Sequence, residues 1–128
     1  MTKRIVRTED APAPFQGAPY SQAVVHGDLV YVAGQLGIDP AAGHVVEGGI
    51  EAQTERVMQN LAAILDAAGS SLQNALMVSI FLADLGDFPA MNEVYGQHVG
   101  PEFPARATVQ VAGLPSGALV EIALVAHL

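Results

Sequence analysis

The chain has no cysteine, only five basic residues against thirteen acidic ones, and no uninterrupted apolar run long enough to span a bilayer. Without cysteine there are no disulfides and no thiol nucleophile, which suits a reducing compartment. Three of the five basic residues, Lys3, Arg4 and Arg7, crowd the N-terminus, and the formal charge is −8. Such a surface repels phosphate backbones, so nucleic acid is disfavoured as a partner. The basic N-terminus has no apolar stretch behind it and does not read as a secretory signal. The expected location is cytoplasmic, with no membrane partner.

Motifs for several chemistries are missing as well. His26, His44, His98 and His127 are widely separated and form no short metal-ligand pattern, so no metal is expected. Glu47-Gly48-Gly49 lacks the Lys-Ser/Thr of a phosphate loop, no G-x-G-x-x-G follows a strand, and no G-x-S-x-G occurs. No cofactor is expected. What remains for a site is Arg, Glu, Tyr, Asn and backbone groups.

Charged residues are also scarce, at 14% against 51% hydrophobic. The 128 residues fit one domain, 1–128, whose surface such a composition covers poorly with polar groups. This predicts a homo-oligomer that hides apolar surface between subunits.

Along the chain, residues 3–7 alternate charged and apolar positions around Ile5 and Val6, as a short edge strand does. Three prolines and a glycine in residues 11–19 then exclude helix and central strand. Val24-Val25 and residues 29–33 flank His26-Gly27-Asp28 as a hairpin. Tyr20 stands where the loop meets this strand, either as a packing aromatic or as a site residue. Gly34 ends the hairpin, as a bulge or as a point of close approach. Residues 50–68 carry Ile50, Thr54, Val57, Met58, Leu61, Leu65 and Ala68 at steps of three and four, a helix closed by Gly69, to which we assign no chemistry. Residues 75–81 are almost continuously apolar, the pattern of a strand buried on both faces. Asp84 to Asp87 form a turn and cap, and Phe88, Met91, Val94, Tyr95 and Val99 mark a second amphipathic helix. Asn92 within it reads most simply as a solvent-facing residue. Strands over 107–112 and 119–127 complete the order βββαβαββ, an α+β domain with two helices on one face of a mixed sheet.

Arg106 and Glu121 stand out because each is the lone charge in apolar, strand-forming sequence. A desolvated charge is tolerated only when something compensates it. Either the two form an ion pair, or they await a small polar ligand. Guanidinium binds a carboxylate through two hydrogen bonds, and a desolvated glutamate has a raised pKa suited to holding a proton on a water.

Gly34-Gln35, Gln53 with Asn60-Leu61, Asp84-Leu85-Gly86-Asp87-Phe88 with Asn92 and Tyr95, Phe103-Pro104-Ala105-Arg106 and Val120-Glu121-Ile122 together resemble the reactive intermediate deaminase (RidA/YjgF) family over nearly the whole chain. The resemblance implies a chorismate-mutase-like fold, a homotrimer with sites between subunits, and hydrolysis of enamine/imine intermediates such as 2-aminoacrylate to 2-keto acids and ammonia. It implies Arg106 on the substrate carboxylate, Glu121 positioning water and Tyr20 closing the pocket or helping with a proton. The Gly34 backbone would contact the carboxylate and Asn92 would line the cleft. The family's Ser before the Gly-Gln pair is Ala33 here, and its Cys two residues after the Arg is Thr108, which could still contribute its carbonyl. A non-catalytic binder of small carboxylates is the alternative. Endoribonuclease or translation-inhibitor activity, attributed to some relatives, sits poorly with the charge of −8.

Overall fold

Alternating burial along the strands decides where everything else stands. The computed structural model describes residues 2–128. Strands β1 (Arg4–Val6), β2 (Ala23–His26) and β3 (Leu29–Leu36) precede helix α1 (Gly49–Ala68). Strand β4 (Ala75–Leu82), helix α2 (Phe88–Val99), β5 (Ala105–Gln110) and β6 (Val120–His127) follow, so the order is the expected one. The six strands form one sheet in the order β1-β2-β3-β6-β4-β5. Only β4 and β5 run parallel, the connection through α2 being long enough to cross over.

Val30 and Val32 of β3, Val78, Ile80 and Leu82 of β4, and Val120, Ile122 and Leu124 of β6 are buried with Val57, Met58, Leu61, Ile64 and Leu65 of α1 and Met91 and Val99 of α2. Each large apolar side chain so buried contributes about 1.5–3 kcal/mol. Gly69 closes α1, its N–H donating to the carbonyls of Asp66 and Leu65. Asp84 accepts from the Gly86 N–H at 2.8 Å in the turn that leads into α2.

The other face of the sheet is open, which corrects the reading of β4. Val78, Ile80 and Leu82 are buried, but Met77 is 40% exposed and Ser79 and Phe81 are half-buried. An apolar run looks the same whether a strand's second face is covered by its own chain or left bare. Tyr31, at 48% exposure, lies on this bare side opposite Val125.

Two further details shape the site. Strand β5 begins at Ala105 rather than 107, so Arg106 lies within the strand, and β5 is the sheet edge, paired with β4 alone. Between β3 and β6 the register runs from Leu29 opposite His127 to Val32 opposite Leu124, breaks, and resumes with Gln35 opposite Ile122 and Leu36 opposite Glu121. Ala33 and Gly34 occupy the resulting bulge.

Candidate active site

Strand β4 lies between β5 and β6 and fixes both charges. Arg106 is registered with Val78, and Glu121 with Phe81. Val78 and Phe81 are three residues apart on a regular stretch, so their side chains leave opposite faces of the sheet. Arg106 therefore points to the helix side and Glu121 to the open side. They form no ion pair with each other; among the described residues the one salt bridge joins His98 and Glu55.

On the helix side, α2 supplies the surroundings of Arg106. Phe88, Asn92 and Tyr95 follow at steps of four and three, which puts them on one face of the helix. The guanidinium carbon stands 5.3 Å from the Phe88 ring centroid and 5.1 Å from that of Tyr95. Both are cation–π distances, and they hold a planar cation without consuming its hydrogen-bond donors. A cavity of about 310 Å³ beside it is lined by Asn92, Tyr95, Gly96, Phe103, Pro104 and Arg106. Phe103 is 67% exposed at its rim.

Polar groups on this side are buried and unmatched. Asn92 Oδ1, Tyr95 Oη and Thr108 Oγ1 lack hydrogen-bond partners among the described residues, the remaining such atom being Thr54 Oγ1. Each buried orphan costs about 1–3 kcal/mol. Burial pushes the Tyr95 phenol above its ordinary pKa, opposed by the Arg106 charge. A ligand or a second chain bringing acceptors and donors here would repay part of that cost.

On the open side, the Glu121 carboxylate lies directly on Gly34. A Cβ built on Gly34 would stand 2.8 Å from Glu121 Oε2 and 2.9 Å from its Cδ. Gly34 is thus both bulge and close approach. Glu121 is half-buried, and burial raises its pKa above the ordinary 4.5. It shares a second cavity of about 300 Å³ with Tyr20, Ala33, Gly34, Leu36 and Phe15. Tyr20 Oη accepts the Phe15 N–H at 2.6 Å, which leaves its own proton free to donate. Tyr20 is 42% exposed.

The predicted residues therefore fall into two groups. Arg106, Asn92 and Thr108 gather on the helix side, while Glu121, Tyr20, Gly34 and Ala33 gather on the open side. Asn92, expected to face solvent, has a buried amide oxygen instead. Phe88 and Tyr95 were read as core residues of an amphipathic helix; their contact with Arg106 follows from the crossover placing α2 over β5. The available signal was the polar Asn92 between two aromatics on one face. Among the described residues no group of three His, Asp or Glu side chains could hold a metal ion, and no helix is long and apolar enough to cross a membrane.

Residues 8–128 match the family described as Endoribonuclease L-PSP. A protein of Capra hircus named 2-iminobutanoate/2-iminopropanoate deaminase is 44% identical to this chain, covering 98% of it and 90% of its own length. The chain belongs to the reactive intermediate deaminase family. A RutC family protein of Pyrococcus abyssi is 46% identical over 99% of this chain and 98% of its own. The crystal structure of RidA from the Antarctic bacterium Psychrobacter sp. superimposes with a TM-score of 0.92 at 43% identity, covering 98% of this chain and 99% of that one. Fold and family thus agree over essentially the whole deaminase-family chain.

Proposed function

We propose that the protein hydrolyses 2-aminoacrylate-type enamines and their imines to 2-keto acids and ammonia, at a site that joins the Arg106 half of one protomer to the Glu121 half of another. A deaminase-like hydrolase is what the deaminase relatives support; substrate, residue roles and a homotrimer are our reading. The observation that carries it is the pairing of two incomplete halves: among the described residues, a guanidinium free of carboxylate partners and a desolvated carboxylate free of cationic ones.

The chemistry asks little of such a site. The enamine CH2=C(NH2)–COO⁻ moves a proton from nitrogen to carbon to give the imine, and water adds to its C2. The resulting carbinolamine expels ammonia and leaves the keto acid. Arg106 grips the substrate carboxylate with its fork, kept in plane by Phe88 and Tyr95. Glu121 orients the water and takes its proton, then returns it to the leaving nitrogen, a shuttle favoured by a raised pKa. Tyr20 donates its proton into the pocket, and the Gly34 backbone meets the substrate where a side chain would collide with Glu121. Asn92 lines the carboxylate end, and Thr108 offers its carbonyl and its unmatched hydroxyl. An imine is already electrophilic, so orientation supplies most of the rate.

The test is release of ammonia and keto acid from 2-aminoacrylate generated by a separate enzyme. Wild type should accelerate it and Arg106→Ala should not; equal acceleration by both sinks the reading. Ala33, a methyl on the cavity wall where the resemblance leads one to expect a hydroxyl, favours a second reading, a small-carboxylate binder without turnover. Calorimetric binding of 2-oxobutanoate with no hydrolysis of any imine would select it. Cleavage of RNA is disfavoured by the charge of −8.

A further inference from the structure

Glu121 occupies the last rung of the β3–β6 ladder, just past the bulge. Ladders loosen at their ends, and the Glu121 side chain has no hydrogen bond or ion pair among the described residues that would hold it there. Its position over Gly34 therefore depends on how the end of β3 and the start of β6 are anchored.

Beside the β4 ladder, which pairs Leu82 with Val120 and is followed by the Ala83 N–H donating to the Leu119 carbonyl at 3.0 Å, one helix grips both ends. Asn60, fully buried in α1, donates to the carbonyls of Leu36 at 3.1 Å and Ile38 at 2.9 Å, and its Oδ1 accepts the Arg56 Nε–H at 3.0 Å. Gln53, 7% exposed, accepts the Leu119 N–H at 2.9 Å through Oε1. The two amides are seven residues apart, two helical turns on one stripe. Between them Gly37 rests on the helix backbone, where a Cβ would stand 2.8 Å from the Gln53 carbonyl oxygen.

We propose that Gln53 and Asn60 are positioning residues, a two-point clamp by which α1 fixes the end of β3 against the start of β6 and so seats the Glu121 carboxylate on Gly34. This rests on the reading of Glu121 as the group that positions water, although the clamp itself can be measured without turnover. Amide chemistry is required at both points. Asn60 uses two donors and an acceptor at once, which neither aspartate nor leucine reproduces, and Gln53 must present an acceptor to a buried N–H.

The experiment compares Gln53→Met, Asn60→Asp and the core variant Ile64→Val, each at a temperature where it is fully folded. Carbon-detected titration of Glu121, the Gly34 amide shift, kcat and KM are read together. The clamp predicts that Gln53→Met and Asn60→Asp move the Glu121 midpoint down toward the ordinary 4.5, shift the Gly34 amide, and lower kcat by about tenfold or more with KM little changed. Ile64→Val loses thermal stability but alters neither NMR signal. Should Asn60→Asp fail to fold, Gln53→Met decides. Wild-type Glu121 and Gly34 signals in Gln53→Met, or equal shifts in Ile64→Val, overturn the clamp. Absence of turnover in the wild type overturns the deaminase reading instead, and the NMR arm still judges the clamp.

Discussion

Arg106 and Glu121 lie on opposite faces of one sheet, Arg106 level with Val78 and Glu121 level with Phe81 on the strand between them. A single protomer cannot apply both to one small substrate, whereas a cyclic assembly with head-to-tail interfaces can. Arg106→Ala and Glu121→Gln should each keep only a small residual rate alone. Co-refolded in equal amounts, they should recover about a quarter of wild-type activity, because about one interface in four then takes Arg106 from one variant and Glu121 from the other. Recovery is measured as ammonia release; none at all would place the site within one chain.

Replacement of Arg106 by Lys is not conservative here. The guanidinium lies 5.3 Å and 5.1 Å from the Phe88 and Tyr95 centroids, a stacking that an ammonium on a flexible stem does not reproduce, and the bidentate fork is lost with it. Arg106→Lys should weaken 2-oxobutanoate binding at least tenfold, the loss of one charge-assisted hydrogen bond being worth about 1.5–3 kcal/mol. Isothermal calorimetry measures this. Thermal stability should fall by no more than about 1 kcal/mol, since Arg106 is in no salt bridge of the described chain and only its ring contacts are weakened.

Much of the fold was legible because periodicity reports burial directly. The stripe from Ile50 to Ala68 became α1, and the hairpin and both terminal strands formed close to their expected bounds. The site residues were recognisable as types but not as an arrangement. That Arg106 and Glu121 diverge depends on their parity relative to β4, a strand that sequence order does not place between them. The polar grip of Gln53 and Asn60 was hidden for a related reason: an amphipathic pattern records that a residue is polar, not that its amide meets a strand end. The second face of β4 was misread because apolarity says nothing about what covers it.

Acidity should act on Glu121 in a definite direction. Burial raises its folded-state pKa above 4.5. Between the ordinary and the raised value the folded chain holds more protons than the unfolded one, so the contribution of this group to stability falls as pH rises through that window. Glu121→Gln should therefore melt higher than wild type at neutral pH, with the gain vanishing below the ordinary carboxylate range. Activity runs the other way. If the carboxylate takes the proton of water, kcat/KM should climb with pH along a limb centred above 4.5. That limb should be absent from the residual rate of Glu121→Gln; a profile identical in both proteins rejects Glu121 as the titrating group.

Two threonines with buried hydroxyls offer a way to separate a packing defect from a site group. Thr54 Oγ1 and Thr108 Oγ1 both lack partners, but Thr54 is fully buried in α1 while Thr108 follows Arg106 on the same face of β5. Valine at either position removes an orphaned hydroxyl at nearly constant shape, and should stabilise the chain by about 1 kcal/mol or leave it unchanged. The two should part company on ligand binding. Thr54→Val should bind 2-oxobutanoate as wild type does, whereas Thr108→Val should bind it several-fold more weakly, because the hydroxyl that costs stability in the free chain is the one a carboxylate would satisfy. Paired melting and calorimetry test this, and wild-type affinity in Thr108→Val would show that its hydroxyl is as silent as that of Thr54.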